Sequence, residues 1–218
     1  MRVLVACERF GVVRDAFRAL GHDAWSCDIT AATGHHLHGD VFSFIEQPWD
    51  LMIAHPPCTD LAVSGALRFK GKEQKQEDAL LFVNLLMAAP IPRICIENPV
   101  SIISTRIRKP DQIIQPYQFG HDASKKTCLW LKGLPKLVID PAQYVLPRWA
   151  CQNRCGWISE KGWIGGPRPG CGKKLLPRWA NQTDSGQNRL APSEHRAMDR
   201  ARTYEGIAAA MAEQWSIA

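Results

Sequence analysis

The chain has 218 residues, of which 45% are hydrophobic and 22% charged, and this composition excludes a disordered chain, a collagen and a coiled coil. A chain of this length can bury enough surface to fold without disulfides or metals, so its eight Cys need another explanation. The net charge of +6 is uneven, because residues 1–92 carry −3 whereas residues 93–136 and 137–218 carry +5 and +4. Such a division is typical of a small-molecule pocket joined to a surface that faces a polyanion, or of a basic face that is only solvated.

No targeting signal or apolar membrane-spanning run is visible in the sequence. We therefore expect a cytoplasmic protein that does not contact a membrane. In a reducing compartment, scattered cysteines such as Cys7, Cys27, Cys95 and Cys128 are expected to be small buried side chains in strands.

Short apolar runs alternate with amphipathic stretches over the first half, which predicts a mostly parallel sheet covered by helices. The predicted strands are residues 2–6, 23–27, 50–54, 93–96 and 127–131, and the predicted helices are residues 12–20 and 73–88. The loop that contains His35, His36 and His38 is expected to be solvated. Polar residues follow the strands at positions 8–11, 28, 40, 55–58 and 97–99, and the carboxyl ends of parallel strands share one ligand-binding crevice.

The second half changes character. Residues 141–190 are rich in Pro, Gly, Trp, Arg and Lys, and the sequence LPRWA at 146–150 recurs at 176–180. Residues 192–215 return to a helical pattern. We therefore expect a catalytic and cofactor-binding core at 1–140, an irregular basic insertion at 141–180, and a C-terminal helical segment at 181–218 that packs back on the core.

Two residues at strand ends are candidates for chemistry. Cys58 follows two prolines, which hold the chain in a stiff turn that suits a nucleophile. Glu97 follows the next buried strand, where partial burial makes a carboxyl group useful as an acid. The alternatives are an inert loop cysteine and a capping or ion-paired carboxylate.

The order of these motifs resembles that of the DNA cytosine-C5 methyltransferases, and in particular of short phage and prophage members. The resemblance covers residues 1–132 and 181–215. Its specific part is Pro56-Pro57-Cys58 followed by Glu97-Asn98, while Phe10-Gly11, Asp28, Gly39-Asp40-Val41 and the late stretch 189–194 add to the series.

The resemblance implies a Rossmann-like core dependent on S-adenosylmethionine. Cys58 would add to C6 of cytosine, and Glu97 would hold N3 and the exocyclic amine. Cofactor contacts are implied at Phe10, Gly11, Asp28, Asp40 and Pro56. Lys125 and Lys126 lie where the family has an arginine pair that supports the ring oxygen, although these lysines suit phosphate contact or a solvated strand end equally well.

The insertion is the region that the family uses for DNA recognition. Phosphate contacts are expected from five basic residues, namely Arg148, Arg154, Lys173, Lys174 and Arg178. Cys151, Cys155 and Cys171 resemble a zinc ribbon that lacks one ligand, so they predict either a zinc site completed by another residue or thiols without metal.

The resemblance thus implies a phage- or prophage-encoded enzyme of the bacterial cytoplasm that methylates C5 of cytosine in DNA through a covalent Cys58 adduct, and we expect a monomer. The chain also departs from the family pattern, because the first loop lacks the second glycine and Thr59 replaces the usual Gln. The alternatives are therefore a catalytically weak or inactive DNA-binding relative that acts in phage protection or anti-restriction, and a methylase of free cytidine nucleotides.

Overall fold

A computed structural model describes residues 1–63, 71–151, 157–160, 175–190 and 202–217. The backbone divides into two units. The sheet unit comprises Met1–Ile114, Lys126–Val138 and Thr203–Ala218, and the hairpin unit comprises Gln115–Lys125 and Ile139–Arg202.

The sheet unit contains seven strands and four helices within the described residues. The strands are β1 (Arg2–Ala6), β2 (Asp23–Asp28), β3 (His36–His38), β4 (Leu51–Ala54), β5 (Arg93–Pro99), β6 (Gln112–Ile114) and β7 (Thr127–Lys132). The helices are α1 (Val12–Ala19), α2 (Glu73–Ala88), α3 (Ile103–Arg106) and α4 (Glu205–Trp215).

The strands form one sheet in the order β3-β2-β1-β4-β5-β7-β6. All neighbours from β3 to β5 are parallel, and β7 runs antiparallel to both β5 and β6. The prediction of a Rossmann-like α/β core with a mostly parallel sheet is therefore confirmed.

Both faces of the sheet are covered, which explains why its central strands are continuous apolar runs. Met52, Ile94 and Trp130 lie in one buried cluster together with Leu80 and Leu86 of α2. Because side chains alternate along a strand, Leu51, Ile53 and Cys95 point to the opposite face. Helices α1 and α4 pack against each other, and Phe17, Met211 and Trp215 of this helix pair are fully buried.

Two expectations about local structure are wrong. Residues 36–38 form strand β3 rather than a solvated loop, because they pair with Ser26–Asp28 of β2. Strand β5 extends to Pro99, three residues beyond the predicted end, since β7 pairs with it as far as Thr127. Short elements α3 and β6, between β5 and β7, had no sequence signal.

The hairpin unit has structure where the sequence predicted irregular chain. Strand β8 (Arg148–Cys151) pairs antiparallel with β9 (Leu175–Arg178). The two strands belong to the two copies of LPRWA, and Arg148 lies opposite Arg178. Tyr117 stacks on Trp179 with ring centroids 4.3 Å apart, and the Trp179 indole donates to the Val145 carbonyl at 2.9 Å.

No described helix has both the length and the apolar character that a membrane-spanning segment needs.

Candidate functional site

The site lies at the edge of the sheet where the parallel strands β1, β2, β4 and β5 end. The loop Cys7–Gly11 follows β1, Asp28 is the last residue of β2, and the segment His55–Cys58 follows β4. Glu97 and Asn98 lie in the last part of β5, next to the β4 segment, because Ala54 pairs with Ile96.

His55 and Glu97 form a buried pair across β4 and β5. The His55 Nδ1 lies 3.2 Å from Glu97 Oε2, and the two side chains are only 10% and 11% exposed. Within the described part of the chain, the His55 Nε2 atom is buried and has no hydrogen-bond partner. The pair therefore fixes one oxygen of the Glu97 carboxyl group.

Asn98 fastens the turn that carries Cys58. The Asn98 side chain is fully buried, and its Nδ2 donates to the Pro56 carbonyl at 2.8 Å. The half-buried Cys58 lies two residues further on, and its carbonyl accepts from the N–H groups of Leu61 and Ala62 at 3.1 and 2.9 Å. The thiol thus sits on a short turn that is held at both ends.

Glu8 precedes α1, and its buried carboxylate binds the first turn of this helix. It is 6% exposed, and its carboxylate accepts from the backbone N–H groups of Val13 and Arg14 at 2.7 and 3.2 Å. Burial raises the pKa of Glu8, whereas the charge of His55 and these two hydrogen bonds oppose the rise. Glu8 therefore lies within the electrostatic reach of His55, which already contacts Glu97.

The predicted cofactor residues lie around Cys7. Cys7 has a φ of 57°, and burial raises its pKa to about 12, with the charges of Asp28 and Asp40 acting in the same direction. Asp28 is half-buried and accepts from the Thr30 N–H at 2.7 Å, while the exposed Asp40 caps a short turn by accepting from the Phe42 N–H at 3.0 Å.

Phe10 and Gly11 complete this part of the site. The Phe10 side chain is 43% exposed. Gly11 has a φ of +69°, and a Cβ atom built on it would lie 2.2 Å from the Arg14 Nη2. The structure therefore requires glycine at position 11 both for its backbone conformation and for the close approach of the Arg14 guanidinium.

Lys125 and Lys126 belong to different units. The Lys125 Nζ lies 3.5 Å from the Arg202 carbonyl in the hairpin unit. Lys126 is exposed and precedes β7 in the sheet unit, where its charge opposes the burial that raises the pKa of Cys128 to about 11.

Arg148 and Arg178 of the hairpin unit hydrogen-bond the loop 182–184 of the same unit. Arg148 donates to the Asp184 carboxylate at 2.7 Å and to the Gln182 carbonyl at 2.8 Å. Arg178 donates to the backbone carbonyls of Asp184 and Pro177 at 3.0 and 2.8 Å. The predicted phosphate contacts at Arg154, Lys173 and Lys174 lie outside the described residues.

The described residues contain no group of three or more His, Cys, Asp and Glu side chains arranged to hold a metal ion. Of the predicted zinc ligands, Cys151 is buried at the end of β8. Cys155 and Cys171 lie outside the described residues, so the structure gives zinc no support.

Sequence reasoning gave no role to three polar residues of the site, namely Glu8, Arg14 and His55. Glu8 and His55 lie in the polar stretches 8–11 and 55–58 that follow predicted strands, but neither was singled out. Arg14 gave no signal at all, because a charged residue in the first turn of a helix usually faces solvent.

No protein-family model and no curated protein matches the chain. One solved structure similar to it is the crystal structure of a "putative DNA modification methyltransferase encoded within prophage" from E. coli, with 15% sequence identity and a TM-score of 0.42. The match covers 76% of this chain and 62% of that one, so the chain spans less than two thirds of the length of that protein.

Proposed function

We propose that the sheet unit transfers a methyl group from S-adenosylmethionine to C5 of cytosine in DNA, with Cys58 as the nucleophile. The observation that carries this proposal is the pairing of two groups at one sheet edge. A thiol lies on a turn fastened by the 2.8 Å bond from Asn98 to Pro56, and a buried carboxyl group, Glu97, lies on the adjacent strand. In covalent catalysis a positioned thiol can act as the nucleophile and a carboxyl group as the general acid.

The residues after β1 and β2 suit the cofactor. Its ribose hydroxyls and adenine amine are hydrogen-bond donors, and the carboxylates of Asp28 and Asp40 are acceptors whose charges both reach Cys7. Its sulfonium is positively charged, which these carboxylates also favour. When bound, S-adenosylmethionine supplies an electrophilic methyl group.

The protein's own residues would act in sequence on the cytosine ring. The Cys58 thiolate bonds to C6 while the Glu97 carboxyl gives its proton to N3, so C5 becomes nucleophilic enough to take the methyl group. Loss of the C5 proton to a base and return of the N3 proton to Glu97 then break the S–C6 bond and release the thiolate. His55 holds one Glu97 oxygen at 3.2 Å and so fixes the orientation of the carboxyl group.

DNA as the substrate adds a requirement. A cytosine within a duplex must leave the stack before its C6 can be reached, at a cost of a few kcal/mol. We therefore include single-stranded DNA and free cytidine nucleotides beside duplex DNA as substrates in the test. The basic residues around the hairpin are proposed to contact phosphates.

The experiment measures label transfer from methyl-labelled S-adenosylmethionine to cytosine in these three substrates. Wild type should label DNA, Cys58→Ser should not, and the buried Cys128→Ala should label like wild type. DNA that contains 5-fluorocytosine should trap a covalent complex with wild type but not with Cys58→Ser, because fluorine cannot leave C5 as a cation. Equal labelling by wild type and Cys58→Ser would exclude Cys58 as the nucleophile.

A further inference from the structure

Arg14 is a buried charge at the start of α1 that the proposed chemistry does not use. Its residue is 7% exposed, and its guanidinium grips the Asp15 carboxylate through Nε and Nη2 at 2.7 and 3.0 Å. The Nη1 atom turns the other way, toward the Ser26 hydroxyl at 3.0 Å and the Thr33 carbonyl at 3.3 Å. Burying a charge is costly unless it is fully hydrogen-bonded, so this arrangement needs a reason.

From Arg14 a directed chain of hydrogen bonds crosses β2 and β3. Arginine can only donate, so the Ser26 oxygen accepts from it at 3.0 Å. At the other end, the Thr30 carbonyl can only accept, so the His36 Nε2 carries the hydrogen and donates to it at 3.1 Å. In a neutral His36 the Nδ1 atom is then an acceptor, and the Ser26 hydroxyl donates to it at 2.9 Å.

This chain ends on the loop that follows Asp28. Three side chains bind backbone carbonyls of this loop: His38 binds Ile29, His36 binds Thr30 and Arg14 binds Thr33, at 3.1, 3.1 and 3.3 Å. The Asp28 carboxylate itself binds the Thr30 N–H at 2.7 Å. The Thr30 peptide region is therefore held both by Asp28 and by the chain that begins at Arg14.

We propose that Arg14 is a positioning residue for nucleoside binding, which acts through Ser26 and His36 on the loop that carries Asp28. The inference rests on the proposed function, in which Asp28 accepts hydrogen bonds from the cofactor ribose. An exposed loop without these bonds would sample many conformations, and ordering it would reduce the binding free energy of the nucleoside. Arg14 orders the loop before the nucleoside binds, so binding does not include that cost. Gly11, which has no side chain, leaves the space that the Arg14 guanidinium needs.

The binding test uses calorimetry with S-adenosylhomocysteine on the full chain. Arg14→Met keeps the length of the side chain but removes all its hydrogen bonds, and the Kd should rise about tenfold, the size expected from one charge-assisted hydrogen bond. Arg18→Met is the matched control one turn further along α1, because the Arg18 side chain donates to the Ala24 carbonyl at 3.3 Å, near the opposite end of β2 from Asp28. Its Kd should stay within about twofold of wild type.

Ser26→Ala provides a second variant, because it breaks the chain in the middle and leaves the buried charge paired with Asp15. Its Kd should also rise, so the test survives if Arg14→Met fails to fold. Nitrogen NMR of His36 gives a readout without ligand: the hydrogen should be on Nε2 in wild type and should redistribute between the two nitrogens in Ser26→Ala.

The outcomes separate the two proposals. Wild type that binds S-adenosylhomocysteine but labels no cytosine would contradict the proposed function and leave the role of Arg14 intact. Equal Kd values for wild type, Arg14→Met and Ser26→Ala would overturn the role of Arg14 and leave the methyl transfer intact. A His36 that carries its hydrogen on Nδ1 in wild type would also overturn the proposed chain. A wild type that binds no S-adenosylhomocysteine would contradict both.

Discussion

Replacement of Asn98 by Ala should destabilise the sheet unit and slow the reaction of Cys58. The side chain is 0% exposed, and its Nδ2 donates to the Pro56 carbonyl at 2.8 Å. The substitution removes this bond and leaves the carbonyl of the buried Pro56 without its partner, which costs about 1–3 kcal/mol. The space left by the amide adds about 1 kcal/mol.

One feature of Asn98 works in the other direction. Its Oδ1 is buried without a hydrogen-bond partner among the described residues, so its removal recovers part of the desolvation cost. The expected net loss in free energy of unfolding is about 2–3 kcal/mol, which corresponds to a melting temperature lower by roughly 5–10 °C for a chain of this size. Urea unfolding followed by fluorescence and calorimetry measures both quantities.

Ser101→Ala is the matched control for this experiment. Ser101 is 2% exposed, and its Oγ is also buried without a partner among the described residues, but it holds no other group. Its replacement should change the free energy of unfolding by less than about 0.5 kcal/mol or increase it. Asn98→Ala and Ser101→Ala with equal stabilities would refute the reasoning that the Asn98 bond holds the Cys58 turn. Trapping on 5-fluorocytosine DNA should be slower in Asn98→Ala alone.

Three further predictions concern the same sheet edge. His55→Asn retains an N–H donor near the position of Nδ1 and should keep most of the methylation rate. His55→Leu should lower this rate about 10- to 100-fold, because the Glu97 carboxyl group is then misplaced. Equal rates for the two variants in a single-turnover assay would contradict this prediction. Gly11→Ala should lower the free energy of unfolding by about 3 kcal/mol against about 1 for Gly21→Ala, because both have a positive φ but only Gly11 faces the Arg14 guanidinium; urea unfolding measures both. Because the folded pKa of Cys7 is about 12 against an ordinary 9.0, its contribution to stability is present below pH 9 and is lost as pH rises toward 12. Unfolding measured across this range should show a steeper decline for wild type than for Cys7→Ala.

The sequence predicted the core of the fold well because the signal there is local. Continuous apolar runs such as residues 51–54 are typical of buried strands in a parallel sheet, and the periodic run 73–88 forms α2 with those bounds. Strand β3 is different, since its three residues, His36-Leu37-His38, are too few to give a periodic signal and are ordered by pairing with β2. The extension of β5 through Glu97 similarly depends on β7, which lies thirty residues further along the chain.

The site could be predicted only where chemistry and chain position coincide. Cys58 and Glu97 stand out because each is a reactive group directly after an apolar run. Arg14 does not, because its role depends on Ser26 and on a loop that only tertiary structure brings near it. Arg148 and Arg178 stay predicted phosphate contacts, and the structure adds that both hydrogen-bond the loop 182–184, a role that the sequence did not indicate.

The pairing of β8 with β9 makes the LPRWA sequence complementary to itself. Arg148 lies opposite Arg178, Trp149 opposite Pro177 and Ala150 opposite Leu176, so a local twofold axis passes through the arginine pair and relates the two copies. A strand from a second molecule would satisfy the same ladder, which is the condition for strand exchange between chains. The 182–184 loop breaks this symmetry, because Arg148 donates to the Asp184 carboxylate, whereas Arg178 donates to the backbone carbonyls of Asp184 and Pro177. Asp184 therefore makes the environments of the two LPRWA copies different, although their sequences are identical.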